Sequence, residues 1–142
     1  VPKRIPLDCF PSIKSFEGRN DEGFLKILEQ LMTQLSVNIN KIALIRNSRG
    51  RNFPDVVAFS EQFLNLGAHG ITLHPRPDQR HARYSDAHEL KALCDQHGKE
   101  LNIEGNPTAE FLDVVKAVRP AQCTLVPDDP NQVTSDHGWD LA

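Results

Sequence analysis

From residue 35 onward, short apolar runs alternate with stretches of helical character at a spacing of about 30 residues, the length of one strand–helix–strand crossover. "LSVNIN" (35–40) reads as a strand, followed by "KIALIRNSRGRN", a segment rich in turn formers and arginine. "FPDVVAFSEQFLNLG" reads as a helix: Pro54 suits its first turn, Val56, Phe59, Phe63 and Leu66 recur at helical spacing, and Gly67 suits the position just past its end. "GITLH" (70–74) is a second strand, and "SDAHELKALCDQHG" a second helix with Ser85 as N-cap and Gly98 as stop. "ELNIEG" (100–105) is the third strand. "PTAEFLDVVKAVRP" is the third helix, with Phe111, Leu112, Val115 and Val118 on one face and Pro120 closing it. "QCTLVP" (122–127) is the fourth strand, and a polar loop runs on from it.

Such alternation demands parallel strands joined by right-handed crossovers, because a strand returning in the same direction needs a covering connection. Two folds use the unit: the open doubly wound sheet and the eight-stranded α/β barrel. No GxGxxG or GxxxxGK[ST] loop follows the first strand, so the strongest sign of a nucleotide-binding sheet is missing. Polar side chains end the strands instead: Asn38 and Asn40 the first, His74 and Arg76 the second, Glu104 and Asn106 the third. In a barrel those ends form the active-site face. The expected fold is therefore α/β, of the parallel (β/α) barrel type, with four units making half a barrel and the chain reading as truncated.

The bulk numbers agree. A chain of 142 residues, 39% apolar and 25% charged, suits one soluble domain. A net charge of −3 argues against a nucleic-acid or polyanionic-membrane partner. No apolar run approaches the roughly 18 residues of a membrane span, and the N-terminus lacks the apolar core of a signal peptide. Cys9, Cys94 and Cys123 show no CxxC spacing and read as free thiols of a reducing cytoplasm rather than a disulfide or zinc site. Residues 1–31 are proline-rich at first and without sustained period; either they are an extension ahead of a natural start at Met32, or they form an ordinary N-terminal helix packed on the domain.

Strand ends that converge on one mouth would place Asn38, His74, Arg76, His81 and Glu104 around a single pocket. Arg76 and Arg49 supply planar, permanently charged forks for a phosphate or a polarised oxygen. His74 and Glu104 can move protons near neutral pH if the site tunes them, and Pro75 and Pro77 restrict the backbone that aims Arg76. A metal set of His74, His81 and Glu104 is the competing reading, weakened because the HxH pair of metal-dependent barrel hydrolases is replaced here by Asn38 and Asn40. His69, His88 and His97 read as surface residues, Arg46 and Arg51 as solvated or structural. Glu104 is hard to dismiss, since a carboxylate ending a barrel strand costs stability unless paired or used.

The stretches "LSVNINKIALIRNSRG", "GITLHPRPDQRH", "LNIEGNP" and "TLVPDDPNQVTSDHGWD", in this order, strongly resemble the pyridoxine 5′-phosphate synthase family of vitamin B6 biosynthesis. The resemblance covers residues 34–142 and leaves out 1–31. It implies a cytoplasmic α/β barrel, octameric, without metal or organic cofactor. Its substrates would be phosphorylated small molecules: 1-deoxy-D-xylulose 5-phosphate and 3-amino-2-oxopropyl phosphate condense to pyridoxine 5′-phosphate, phosphate and water. It further implies that Asn38 and Arg49 contact the aminoketone, Arg49 through its phosphate side. His74 would be a proton acceptor, Glu104 a second base, and Arg76, His81 and Thr134 would hold the deoxyxylulose phosphate. Asn40 and Lys41 stand where many members have a substrate-contacting Asp-His pair. The family's proton-donating histidine and glycine-rich phosphate loops belong to its second half, past the fourth strand. A non-catalytic half-barrel that self-associates and a metal-dependent barrel hydrolase are the alternative functions.

Overall fold

A computed structural model describes residues 33–129, 132 and 135–140. The reading of residues 1–31 and the expectations for Thr134 and Cys9 lie outside the described residues. The elements are β1 (Ser36–Asn38), α1 (Asn40–Ser48), α2 (Val56–Asn65), β2 (Gly70–Leu73), α3 (Tyr84–His97), β3 (Glu100–Gly105), α4 (Ala109–Val118) and β4 (Gln122–Leu125). The strands form one sheet in the order β1-β2-β3-β4, every pair parallel. Spatial order follows chain order with no reversal, which is the barrel arrangement and not the doubly wound one.

Register divides the sheet into two unlike faces. Val37, Ile71 and Leu101 lie side by side, as do Leu73 and Ile103. This apolar face joins the core of Ile39, Ala87, Leu90, Cys94, Phe111 and their neighbours, with α3 packed against β2, β3, α2 and α4. The alternate positions are polar and bond across strands: Ser36 Oγ to Thr72 Oγ1 (2.7 Å), Thr124 Oγ1 to Asn102 Oδ1 (3.0 Å) and Gln122 Nε2 to Glu100 Oε2 (2.8 Å). A strand's period of two makes this segregation automatic once the apolar face is buried. β4 is exposed at all its residues. At Gly105, buried beneath Phe111, a methyl group would fall inside the phenyl ring. Among the described residues no helix is long and apolar enough to cross a membrane.

Four local expectations need correction. The segment after β1 is helical: α1 begins at Asn40, so the strand ends at Asn38 and Asn40 opens a helix. Its inward face is Ala43 and Arg46. Arg46 is 2% exposed and forms a bidentate pair with Asp86 (2.6 and 2.9 Å), so the structural one of its two readings holds. A helix whose core-facing row includes an arginine shows no apolar period. The buried row of α2 is Val56, Ser60 and Leu64; Phe59 and Phe63 are half-buried and Leu66 is 85% exposed. Asp55 caps that helix, its Oδ1 accepting from the amides of Val57 (2.9 Å) and Ala58 (3.0 Å), so Pro54 precedes the cap and does not sit in the first turn. The N-cap of α3 is Arg83 and not Ser85: the Asp86 carboxylate accepts from the Arg83 amide at 2.7 Å. Gly98 does end α3, at φ 60° in the left-handed region, and Thr108 Oγ1 caps α4.

Candidate active site

The C-terminal ends of β1, β2 and β3 are stitched together by two asparagines. Asn38 Oδ1 accepts from the Asn40 amide (2.9 Å), a turn that launches α1 directly off the strand. Asn38 Nδ2 donates to Glu104 Oε2 (3.4 Å), and Asn40 Oδ1 accepts from the His74 amide (2.9 Å). Asn38 and Asn40 thus connect the Glu104 carboxylate on β3 to the backbone of His74, one residue past β2.

The electrostatics set those two groups in opposite senses. Burial pulls the His74 imidazole below 6.5; Asp128 opposes this, and Arg76 and His81 add to it. The shift favours the neutral imidazole, the form able to accept a proton. Burial pushes the Glu104 carboxyl above its ordinary value, and the negative charge of Asp128 pushes it further. A carboxyl raised in this way is a better proton acceptor than a solvated one.

The 76–81 loop is held from both sides. Arg76 is buried, and its guanidinium is spent on the segment after β4: Nη1 donates to Asp128 Oδ2 (3.1 Å), and Nη2 to the carbonyls of Asp129 (3.2 Å) and Gln132 (2.6 Å). The fork expected to face a phosphate is satisfied by protein acceptors. On the other side, Asn47 Nδ2 lies within bonding distance of the backbone carbonyls of Gln79 (3.1 Å), Arg80 (3.1 Å) and His81 (2.6 Å), and Arg46 Nε donates to Asn47 Oδ1 at 3.1 Å. These fix the backbone at His81. Burial, Arg80, Lys41 and Arg76 pull the His81 imidazole below 6.5, which also places the exposed Lys41 near it.

Arg49 stands apart. It caps the C-terminus of α1 and is exposed, lining a shallow open depression with Arg51 and Phe53. Its side chain has no hydrogen bond or ion pair among the described residues. The metal reading finds no support in placement: among the described residues no three His, Cys, Asp or Glu side chains gather as a metal-binding group, so His74, His81 and Glu104 do not form one. His69 and His88 are exposed, as expected, and His97 is half-buried. Cys94, buried with its thiol pushed up to about 11, and the exposed Cys123 are free.

Sequence reasoning missed Asp128, Asp86 and Asn47. For Asp128 a signal existed, since it lies three residues beyond the fourth strand, in the position class that singled out His74 and Glu104. For Asp86 and Asn47 the signal is a pairing with groups 32 to 40 residues away in the chain, which no local pattern carries.

Comparison with known proteins gives the same direction. Residues 35–142 match the family model described as "Pyridoxal phosphate biosynthesis protein PdxJ". The chain is 56% identical over 109 residues to the pyridoxine 5′-phosphate synthase of Christiangramia forsetii, covering 77% of this chain and 45% of that protein. It is likewise 56% identical over 119 residues to that of Xanthomonas axonopodis pv. citri (79% and 47%) and over 110 residues to that of Agrobacterium fabrum (76% and 44%). The chain spans a little under half the length of these curated relatives. With a parallel sheet in barrel order, a histidine shifted down and a carboxyl shifted up at its strand ends, and this match over nearly all described residues, the chain belongs to the PdxJ family of pyridoxal phosphate biosynthesis proteins.

Proposed function

We propose that the chain supplies the His74–Glu104 side of a pyridoxine 5′-phosphate synthase site, condensing 1-deoxy-D-xylulose 5-phosphate with 3-amino-2-oxopropyl phosphate. The observation that carries this reading is a His74 imidazole shifted down and a Glu104 carboxyl shifted up, chiefly by burial, at neighbouring strand ends, with Asn38 bonded to Glu104 and Asn40 to the His74 amide. Amine addition to a ketone, dehydration and enolisation each need a proton moved, and two bases of tuned affinity fit that need. His74 is the first acceptor and Glu104 the second. Asn38, Asn40 and Lys41 contact substrate, Arg49 takes the aminoketone phosphate, and His81 and Thr134 contact the deoxyxylulose phosphate. Arg76 supports that second site through the loop it fastens. The exposed cations Arg49 and Lys41 orient the substrates through their charges, with no organic cofactor or metal in the scheme. The working protein is a cytoplasmic homo-oligomer in which the family's second half completes the barrel.

The test is Glu104→Gln in a chimera completed with the C-terminal half of one of the relatives. Glutamine keeps size and hydrogen bonding but cannot take the proton, so turnover should fall about 10²–10⁴-fold, the usual worth of a general base. Binding of the deoxyxylulose phosphate should change little. Near-normal turnover would make Glu104 structural and leave His74 as the sole base. A second reading, a half-barrel that associates with a partner half without catalysis, is favoured by one observation, the exposure of every residue of β4. Light scattering on the 142-residue chain, alongside the synthase assay, separates the two.

A further inference from the structure

Asp128 is the buried ionisable group at the strand ends to which the proposed chemistry gives no role. Its Oδ2 accepts from Arg76 Nη1 (3.1 Å) and Ser135 Oγ (2.9 Å) and lies 3.6 Å from His74 Nε2. Its backbone carbonyl accepts from Asn106 Nδ2, just past β3. The segments after β2, β3 and β4 therefore meet on one residue.

We infer that Asp128 is a positioning residue of the site: held by Arg76 and Ser135, its carboxylate orients the His74 ring so that Nε2 faces the protein and Nδ1 is left as the proton-accepting nitrogen. The inference rests on the proposed role of His74. A neutral imidazole has one N–H and one lone pair. A lone pair turned toward a carboxylate is repelled and an N–H is attracted, so the nitrogen facing Asp128 carries the hydrogen. Nδ1 has no hydrogen-bond partner among the described residues, which leaves its lone pair available to a bound substrate. The geometry also gives Arg76 a reason to be buried. A carboxylate away from water needs a paired cation and hydrogen bonds, and the guanidinium with Ser135 supplies both while leaving Oδ2 within ion-pair range of His74. When His74 takes up a proton, the imidazolium forms beside a charge already in place and needs no rearrangement.

The same carboxylate acts on Glu104, whose ionisation it disfavours. One group thus favours the protonated form of both candidate bases. The other charged or titratable groups acting on His74 are Arg76, His81 and Asp78. Asp128→Asn leaves all three residues in place, and Arg76 keeps its bonds to the carbonyls of Asp129 and Gln132, so the change at His74 reads the lost Asp128 charge together with its pairing to Arg76.

The experiment follows the six histidines of the ¹⁵N-labelled chain by long-range ¹H–¹⁵N correlation, with His74→Gln used only to assign the His74 signals. Above its titration midpoint His74 should be the Nε2–H tautomer; an Nδ1–H tautomer overturns the inference. In Asp128→Asn, which keeps the shape and the hydrogen bonds from Arg76 and Ser135, the His74 midpoint should fall by about one pH unit, the lower end for loss of a nearby opposite charge. The His81 midpoint should move less. An unmoved His74 midpoint in a folded Asp128→Asn chain, shown folded by its thermal melt, also overturns it. If Asp128→Asn does not fold, the tautomer of the unsubstituted chain decides alone. Neither readout involves turnover, so this inference and the synthase reading fail on different evidence.

Discussion

Arg76 and Arg49 carry the same side chain and the same expectation, a cation waiting for a phosphate, yet they sit in opposite surroundings. Arg76 is 5% exposed and gives its donors to Asp128 and to two carbonyls of the segment after β4. Arg49 is exposed at the end of α1, beside Arg51 and Phe53, with no side-chain partner among the described residues. A guanidinium spent on protein acceptors binds two segments of the fold to each other; one left in solvent remains available to a ligand. The contrast teaches that residue type at a strand end names the chemistry a site could do, while burial and partners decide which copy of that residue does it.

Removing each charge in turn should affect stability very differently at the two sites. Arg76→Met preserves much of the stem but strands Asp128 as a buried, uncompensated carboxylate, a change that costs about 3–5 kcal/mol. Arg49→Met removes no side-chain bond among the described residues and should stay within about 0.5 kcal/mol of the parent. Urea denaturation of the two variants measures both. Equal losses would mean that Arg49 has a structural partner, and two negligible losses would mean that the Arg76 contacts contribute nothing.

A smaller effect sharpens the functional side. Phosphate titrated into the chain by calorimetry should bind roughly tenfold more weakly to Arg49→Met, the order of one charge-assisted hydrogen bond. Unchanged binding would move the phosphate elsewhere and leave Arg49 as an ordinary surface residue.

The smallest effect concerns pH, where His74 and Glu104 pull in opposite directions. The folded-state value of His74 lies below 6.5, chiefly through burial, so the unfolded chain holds more protons between the two values. Stability from this source is complete above pH 6.5 and is lost as pH falls through that window. The folded-state value of Glu104 lies above 4.5, again chiefly through burial, so its contribution is present below 4.5 and is lost as pH rises through the raised value. His74→Gln should remove the first dependence and Glu104→Gln the second, read as urea midpoints against pH. A profile unchanged by either substitution would mean that these groups titrate alike in folded and unfolded chains.

Much of the fold was legible in the sequence because its signals are local. Period-two apolar runs, Gly98 and Pro120 as stops and the 30-residue spacing all report on neighbours a few positions apart, and they yielded β2, β3, α3 and α4 within a residue or two. The helix α1 escaped because half of its buried row is Arg46, acceptable there only because Asp86 waits 40 residues later. Ser85 looked like a cap because serine caps helices, but the Asp86 carboxylate reaches back to the Arg83 amide and starts α3 earlier. His74 and Glu104 were readable as candidates from their place at strand ends.

By itself, then, the sequence determined the alternation of strands and helices, the parallel sheet and the set of residue types gathered at its C-terminal edge, since periodicity and strand direction are properties of short segments. Tertiary contacts alone turn Arg76 inward to Asp128, link Glu104 to the His74 backbone through Asn38 and Asn40, and leave Arg49 exposed without a side-chain partner among the described residues. Those outcomes depend on charges and hydrogen-bond partners brought together from distant parts of the chain, where the loss of water makes each pairing decisive.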